Sequence, residues 1–114
     1  MKNTLELLLV KVLNDPDMTA DEYHALSHLS NYIGAEHALL REDLAELMNV
    51  PVRTVRAVVK KLVETHGVPI AASQSGYYII KTEAERRRAK ADLLSRARSL
   101  QYRALALDSI QLQA

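Results

Sequence analysis

The stretch Arg41-Glu42-Asp43-Leu44-Ala45-Glu46-Leu47-Met48-Asn49-Val50-Pro51-Val52-Arg53-Thr54-Val55-Arg56-Ala57-Val58-Val59-Lys60-Lys61-Leu62 decides how this chain folds. Leu44, Ala45, Leu47 and Met48 share one side of a helix predicted over about 41–48. Val52, Val55, Val59 and Leu62 line a second helix running from Pro51 to about Thr65, with Val58 and Val63 at its margins. Helices joined by so short a link cross steeply, which requires a small side chain where they meet, and Ala45 supplies it. The link needs a residue that tolerates positive φ; Asn49 does so at modest cost. Val50 plugs the corner. The first helix has no Ser, Thr or Asp to cap it, and its start is placed loosely.

With the valines assigned inward, Arg53, Thr54, Arg56, Ala57, Lys60 and Lys61 remain outside. Four cations and two small side chains on a narrow rod fit the major groove of duplex DNA. Arg53 or Arg56 can hold guanine O6 and N7 bidentately, and Thr54 or Ala57 can touch a thymine methyl. Lys60 and Lys61, a turn further on, are assigned to phosphate. The competing reading is a helical hairpin whose basic residues are simply solvated.

Beyond this pair, His66-Gly67 ends the second helix. Val68–Ala72 and Gly76–Lys81 then read as two short strands joined across Ser73-Gln74-Ser75-Gly76, with Pro69 confining the first to an edge or a strand start. The tip residues Ser73, Gln74 and Ser75 are small and polar, suited to phosphate or minor-groove contact and equally to a solvated turn. Thr82 and Glu85 form a capping box for a last helix that nothing stops before Ala114. About thirty helical residues reach about 45 Å, longer than a domain this size is wide.

Upstream, Asn3–Leu13 is nearly all apolar. Leu5, Leu8, Leu9 and Val12 fall at helical spacing with Asn3 and Glu6 as a capping box, but the segment also alternates like a strand; helix is preferred. Asp15-Pro16-Asp17 breaks the chain. Thr19 caps the next helix, with Tyr23, Leu26, Leu29 and Ile33 as its inner stripe and Gly34 as its stop. Ala35–Leu40 is a connector with room for a short strand.

Residues 44–56 resemble the helix-turn-helix of bacterial and phage regulators, and His66-Gly67-Val68-Pro69-Ile70 with Gly76-Tyr77-Tyr78-Ile79 is similar to the hairpin wing of winged members such as the amino-terminal domain of biotin-operon repressors. The likeness covers roughly residues 19 to 81. It departs where Pro51 replaces the usual Ser or Thr cap and Asn49 replaces Gly. It implies a mainly α fold with a small β-hairpin, a winged helix-turn-helix, and sequence-specific binding of double-stranded DNA by a transcriptional regulator. The expected organisation is an N-terminal helix over 1–16, the winged unit over 17–82 and a long terminal helix over 83–114.

Composition sets the outer limits. The 114 residues are 48% apolar and 25% charged, a globular mixture. The net charge of +1 hides an asymmetry: residues 1–50 carry three basic and nine acidic side chains, residues 51–114 twelve basic and five acidic. The second half can therefore face a polyanion. Absence of cysteine excludes disulfides and thiolate chemistry. The run Leu7-Leu8-Leu9-Val10 is too short to span a bilayer and precedes no small-residue cleavage site, so a cytoplasmic protein without a membrane partner is expected.

On the last helix, Leu93, Leu100 and Leu107 recur every seven residues with Ala97 and Ala104 between them. This stripe is either a homodimer seam, the preferred reading, or a face that packs back on Leu5, Leu8 and Leu9. The basic run Lys81, Arg86-Arg87-Arg88, Lys90, Arg96, Arg98 and Arg103 either extends a phosphate footprint or keeps the helix soluble, the second being favoured. His24 and His28 have the i, i+4 spacing of a metal pair, but no third ligand is evident beyond Glu22 or His37, and no metal or cofactor is expected. No glycine-rich phosphate loop or nucleophile–base pair points to an enzyme, and no small-molecule ligand is evident. Two alternatives to a regulator stay open: an interaction or assembly module reusing the fold, and a DNA replication or packaging accessory.

Overall fold

The computed structural model describes residues 4–113. Five helices and one antiparallel hairpin follow the chain in order: α1 (Thr4–Leu13), α2 (Ala20–Leu29), α3 (Arg41–Met48), α4 (Val52–Glu64), β1 (Ile70–Ser73), β2 (Gly76–Ile79) and α5 (Glu83–Asp108). This is a mainly helical winged helix-turn-helix with a long terminal helix.

The N-terminal segment is helical. Leu9 and Val12 enter the core, with Leu5, Leu8 and Leu13 packed beside them. Its expected capping box involves Asn3, which lies outside the described residues. Thr19 caps α2 as expected, its hydroxyl accepting from the Glu22 N–H at 3.1 Å.

The inner face of α2 differs from the expected stripe. Ala25, Leu26 and Leu29 are buried together with Glu22, whereas Tyr23 is 48% exposed. The helix also ends at Leu29, before Ile33 and Gly34. Tertiary pairing explains this early stop: the Ile79 N–H donates to the Tyr32 carbonyl and the Gly34 N–H to the Ile79 carbonyl, both at 2.8 Å. Backbone groups committed to β2 cannot continue a helical ladder.

The connector holds one turn of 3-10 helix, Ala35–His37, and then a single antiparallel bridge from Leu39 to Tyr77. That bridge exchanges two hydrogen bonds of 2.8 Å. It passes so close to Gly76, at φ +118, that a Cβ there would lie 2.0 Å from the Leu39 carbonyl oxygen. Only glycine fits. In the hairpin, Ile70 opposes Ile79, Ala71 opposes Tyr78, Ala72 opposes Tyr77 and Ser73 opposes Gly76, leaving Gln74 and Ser75 as the turn.

Leu26, Leu29, Leu44, Val55, Leu62, Val68 and Ile79 are fully buried, drawn from α2, α3, α4 and the segment leading through the hairpin. α2 packs chiefly on α4, and α3 crosses α4 through Leu44 and Ala45. Leu47, expected on the inner side of α3, points outward. With only eight residues, α3 spends its two most central positions on the contact, and Leu47 falls off that arc.

The capping box that opens α5 is present: the Thr82 hydroxyl accepts from the Glu85 N–H and the Glu85 carboxylate from the Thr82 N–H. The helix ends at Asp108 after 26 residues rather than running to the chain end, and none of them is buried. It gives the molecule its long dimension, 65 Å against 32 and 25 Å. No described helix is long and apolar enough to cross a membrane.

Candidate nucleic-acid interface

The turn that orients α4 forms as its residues require. Asn49 adopts φ 57 and ψ 47, and its N–H and that of Val50 return to the end of α3, Val50 reaching the Ala45 carbonyl at 3.0 Å. Pro51 sits just outside the helix in an extended conformation, φ −65 and ψ 155. Its carbonyl accepts from the Thr54 N–H at 3.0 Å and the Val55 N–H at 3.3 Å, while no side chain caps the helix. The ring sets φ where this position needs it, which substitutes in part for the missing hydroxyl.

Burial then divides α4 cleanly. Val55, Val58, Val59 and Leu62 are buried and Val52 is half-buried. Arg53, Arg56, Ala57, Lys60 and Lys61 are exposed, Thr54 half so. All six sequence-assigned residues thus share the outer face of one helix. Val58 belongs to the core rather than its margin, and Val63 is 40% exposed.

That outer face has two flanks. Arg53, Thr54, Ala57 and Lys61 line an open groove of about 740 Å³ with Thr19 and Asp21 at the start of α2. Arg56 and Lys60 line a deeper cavity of about 550 Å³ against the hairpin and α5. Asp21 makes the first flank less welcoming to phosphate; Glu64 is the sole carboxylate lining the second.

The hairpin tip is exposed at Ser73, Gln74 and Ser75. The Ser73 hydroxyl is engaged in holding the turn: it accepts from the Ser75 N–H at 3.1 Å and donates to the Gly76 carbonyl at 3.4 Å. The amide of Gln74 and the hydroxyl of Ser75 are the tip's outward polar groups.

Arg41 and Arg96 complete this region, and neither was singled out for it by the sequence. α5 lies against β1, which brings Arg96, Asp92 and Ser95 to the tip beside Arg41, the first residue of α3. Burial pushes the Tyr77 phenol up from its ordinary value, and Arg41, Arg56 and Arg96 oppose the rise. Tyr78 is also raised, by burial and then Glu85, with Arg88 opposing and Asp92 adding to the rise. The signal available beforehand was the spacing of Glu85, Ala89, Asp92, Leu93 and Arg96, which share one side of a helix.

The heptad residues of α5 point to solvent. Leu93, Leu100 and Leu107 are 61%, 58% and 65% exposed, and Ala97 and Ala104 are exposed too. The packing of this stripe onto Leu5, Leu8 and Leu9 does not occur. Leu94, Tyr102, Leu105, Ile110 and Leu112 are also exposed, so apolar surface extends beyond the seam.

One buried polar cluster lies behind the recognition face. His66 Nε2 is 2.8 Å from Glu22 Oε2, and Nδ1 is 3.6 Å from Asp15 Oδ2. Glu22, weighed as a partner to the His24–His28 pair, is therefore turned inward. Among the described residues no group of three or more metal-ligating side chains comes together.

No family model matches this chain, and neither a curated protein nor a solved structure matches it.

Proposed function

We propose that the protein is a sequence-specific binder of double-stranded DNA, acting as a transcriptional regulator of bacterial or phage type in the cytoplasm. The observation that carries the proposal is the outer face of α4: every cation on that helix is exposed, beside a hairpin with a small polar tip. Arg53 stands central on the outer face, where it reaches guanine O6 and N7, with Thr54 and Ala57 beside it for a thymine methyl. Lys60 and Lys61 take phosphates, and Gln74 and Ser75 contact the backbone or minor groove flanking the major groove that α4 enters.

The protein acts as a homodimer in this reading. Leu93, Ala97, Leu100, Ala104 and Leu107 form the seam, and two reading heads related by a twofold axis select a palindromic site. Selection of bound duplexes from a random pool at low salt tests the reading. It predicts enrichment of a short inverted repeat; recovery of sequences no different from the starting pool contradicts it.

The exposed leucines and Tyr102 of α5 favour a second reading, an assembly module joined to another protein through that helix. Changing Arg53 and Arg56 then leaves partner binding intact, while Leu100→Glu abolishes it.

A further inference from the structure

We propose that Arg41, Arg56, Lys60 and Arg96 form one phosphate-binding pocket, to which the terminal helix contributes a cation alongside those of the helix-turn-helix. This deepens the duplex-binding reading and rests on it only for one source of the phosphate.

The four cations come from three elements far apart in sequence: the start of α3, the middle of α4 and the near half of α5. They line a single cavity of about 550 Å³ between α4, the hairpin and α5. Its other walls include Val59, Ile70, Ala71 and Leu93, apolar groups that screen charge poorly. Among the described residues none of the four is paired with a carboxylate within 4.0 Å, whereas Arg86, elsewhere on α5, holds Glu83 at 2.8 Å. Like charges brought together without a counter-ion repel one another, and an anion between them removes that cost.

The geometry favours phosphate over a simple halide. Guanidinium groups present planar forks that match the oxygens of a phosphate, and three of them border this space. The Tyr77 hydroxyl, buried beside Arg41, Arg56 and Arg96, adds a neutral donor. Arg41 and Arg96 also line the adjoining cavity of about 410 Å³, where Ser73, Gln74 and Ser95 supply further polar groups at the hairpin tip. A backbone phosphate of a strand passing between α4 and the hairpin has this chemistry, and so does a free phosphorylated small molecule.

The test titrates the full chain with inorganic phosphate at matched ionic strength, following arginine Nε–Hε resonances by NMR with chloride as the control. Saturable shifts are expected at Arg41, Arg56 and Arg96 with phosphate and not with chloride. Arg96→Gln is expected to weaken phosphate ~10-fold, the loss of one charge-assisted contact, and Arg41→Gln to do the same. Arg103→Gln, further along α5, leaves the titration unchanged. Residue 96 is exposed on a helix with no buried residue, so unchanged far-UV circular dichroism confirms that its variant is folded.

Absence of saturation, or saturation that Arg96→Gln does not alter, overturns the proposal. The source is then read with a duplex: a salt slope lowered by about one in Arg96→Gln assigns the backbone. An unchanged slope alongside lost phosphate binding assigns a free phosphorylated ligand. If no duplex binds at all, the DNA reading fails while phosphate saturation still supports the pocket.

Discussion

His66 Nε2 lies 2.8 Å from Glu22 Oε2, and both side chains are only 6% exposed. The contact ties the chain just beyond α4 to the first turn of α2, across 44 residues of sequence. It therefore fixes the far end of the recognition helix from behind, while the Asn49 turn fixes the near end.

Breaking this contact leaves a buried polar group without its partner. Glu22→Ala and His66→Ala are each expected to lower unfolding stability by about 1–3 kcal/mol. The double variant should lose clearly less than the sum, because the pair is lost only once. Urea denaturation of the four proteins checks this; strictly additive losses contradict it.

Glu85 plays the matching part at the root of α5. Its carboxylate accepts from the Ala35 N–H at 2.8 Å, the Lys81 N–H at 2.7 Å and the Thr82 N–H at 3.3 Å. These bonds, the one from Ala35 foremost, hold its pKa below the ordinary 4.5. A carboxyl depressed in the folded state stabilises fully above its unfolded value, and that contribution disappears as pH falls through the folded one. Stability measured from neutral pH down through the carboxylate range should drop on the acid side, and Glu85→Gln should make that drop shallower. An identical acid limb in the variant contradicts the assignment.

The two glycines around the hairpin separate strain from collision. Gly67 has φ +67, and a Cβ added there would meet nothing within 4 Å, while Gly76 would drive a Cβ to 2.0 Å from the Leu39 carbonyl oxygen. Gly67→Ala is expected to cost about 1 kcal/mol, the penalty of a left-handed alanine. Gly76→Ala should cost more, at least about 2–3 kcal/mol, because the Leu39–Tyr77 bridge must also open. Equal thermal shifts in the two variants contradict this account.

The parts legible in the sequence were those with a local cause. The valines of α4 repeat at helical spacing, Asn49 tolerates a left-handed turn, and Thr82 with Glu85 caps α5; each needs only neighbours in the chain. What escaped was set by distant partners. Nothing beside His66 announces Glu22, and nothing beside Leu29 announces that Tyr32 and Gly34 will be claimed by Ile79. Arg41 and Arg96 escaped for the same reason, since their shared cavity exists only once α5 folds against β1.

The seam on α5 makes a prediction about assembly. Leu100→Glu places a charge in the middle of the stripe and should convert a dimer to a monomer in sedimentation equilibrium. Unfolding of the winged unit itself should change little, because residue 100 is exposed and lies outside the core. A native chain that is already monomeric at every concentration contradicts the homodimer.

The central claim is that the outer face of α4 reads DNA, and the affinity of the chain for its selected duplex across a salt series tests it most directly. The account predicts that affinity falls steeply as salt rises, through release of counterions from the contacted phosphates. It predicts that replacing Arg53 and Arg56 by alanine weakens the selected site, by ~1–3 kcal/mol where a base contact is lost, and narrows its margin over random duplex. Replacing Lys60 and Lys61 should instead flatten the salt slope by about two and leave the sequence preference in place. Affinity for the duplex that is unmoved by both pairs of substitutions would contradict it.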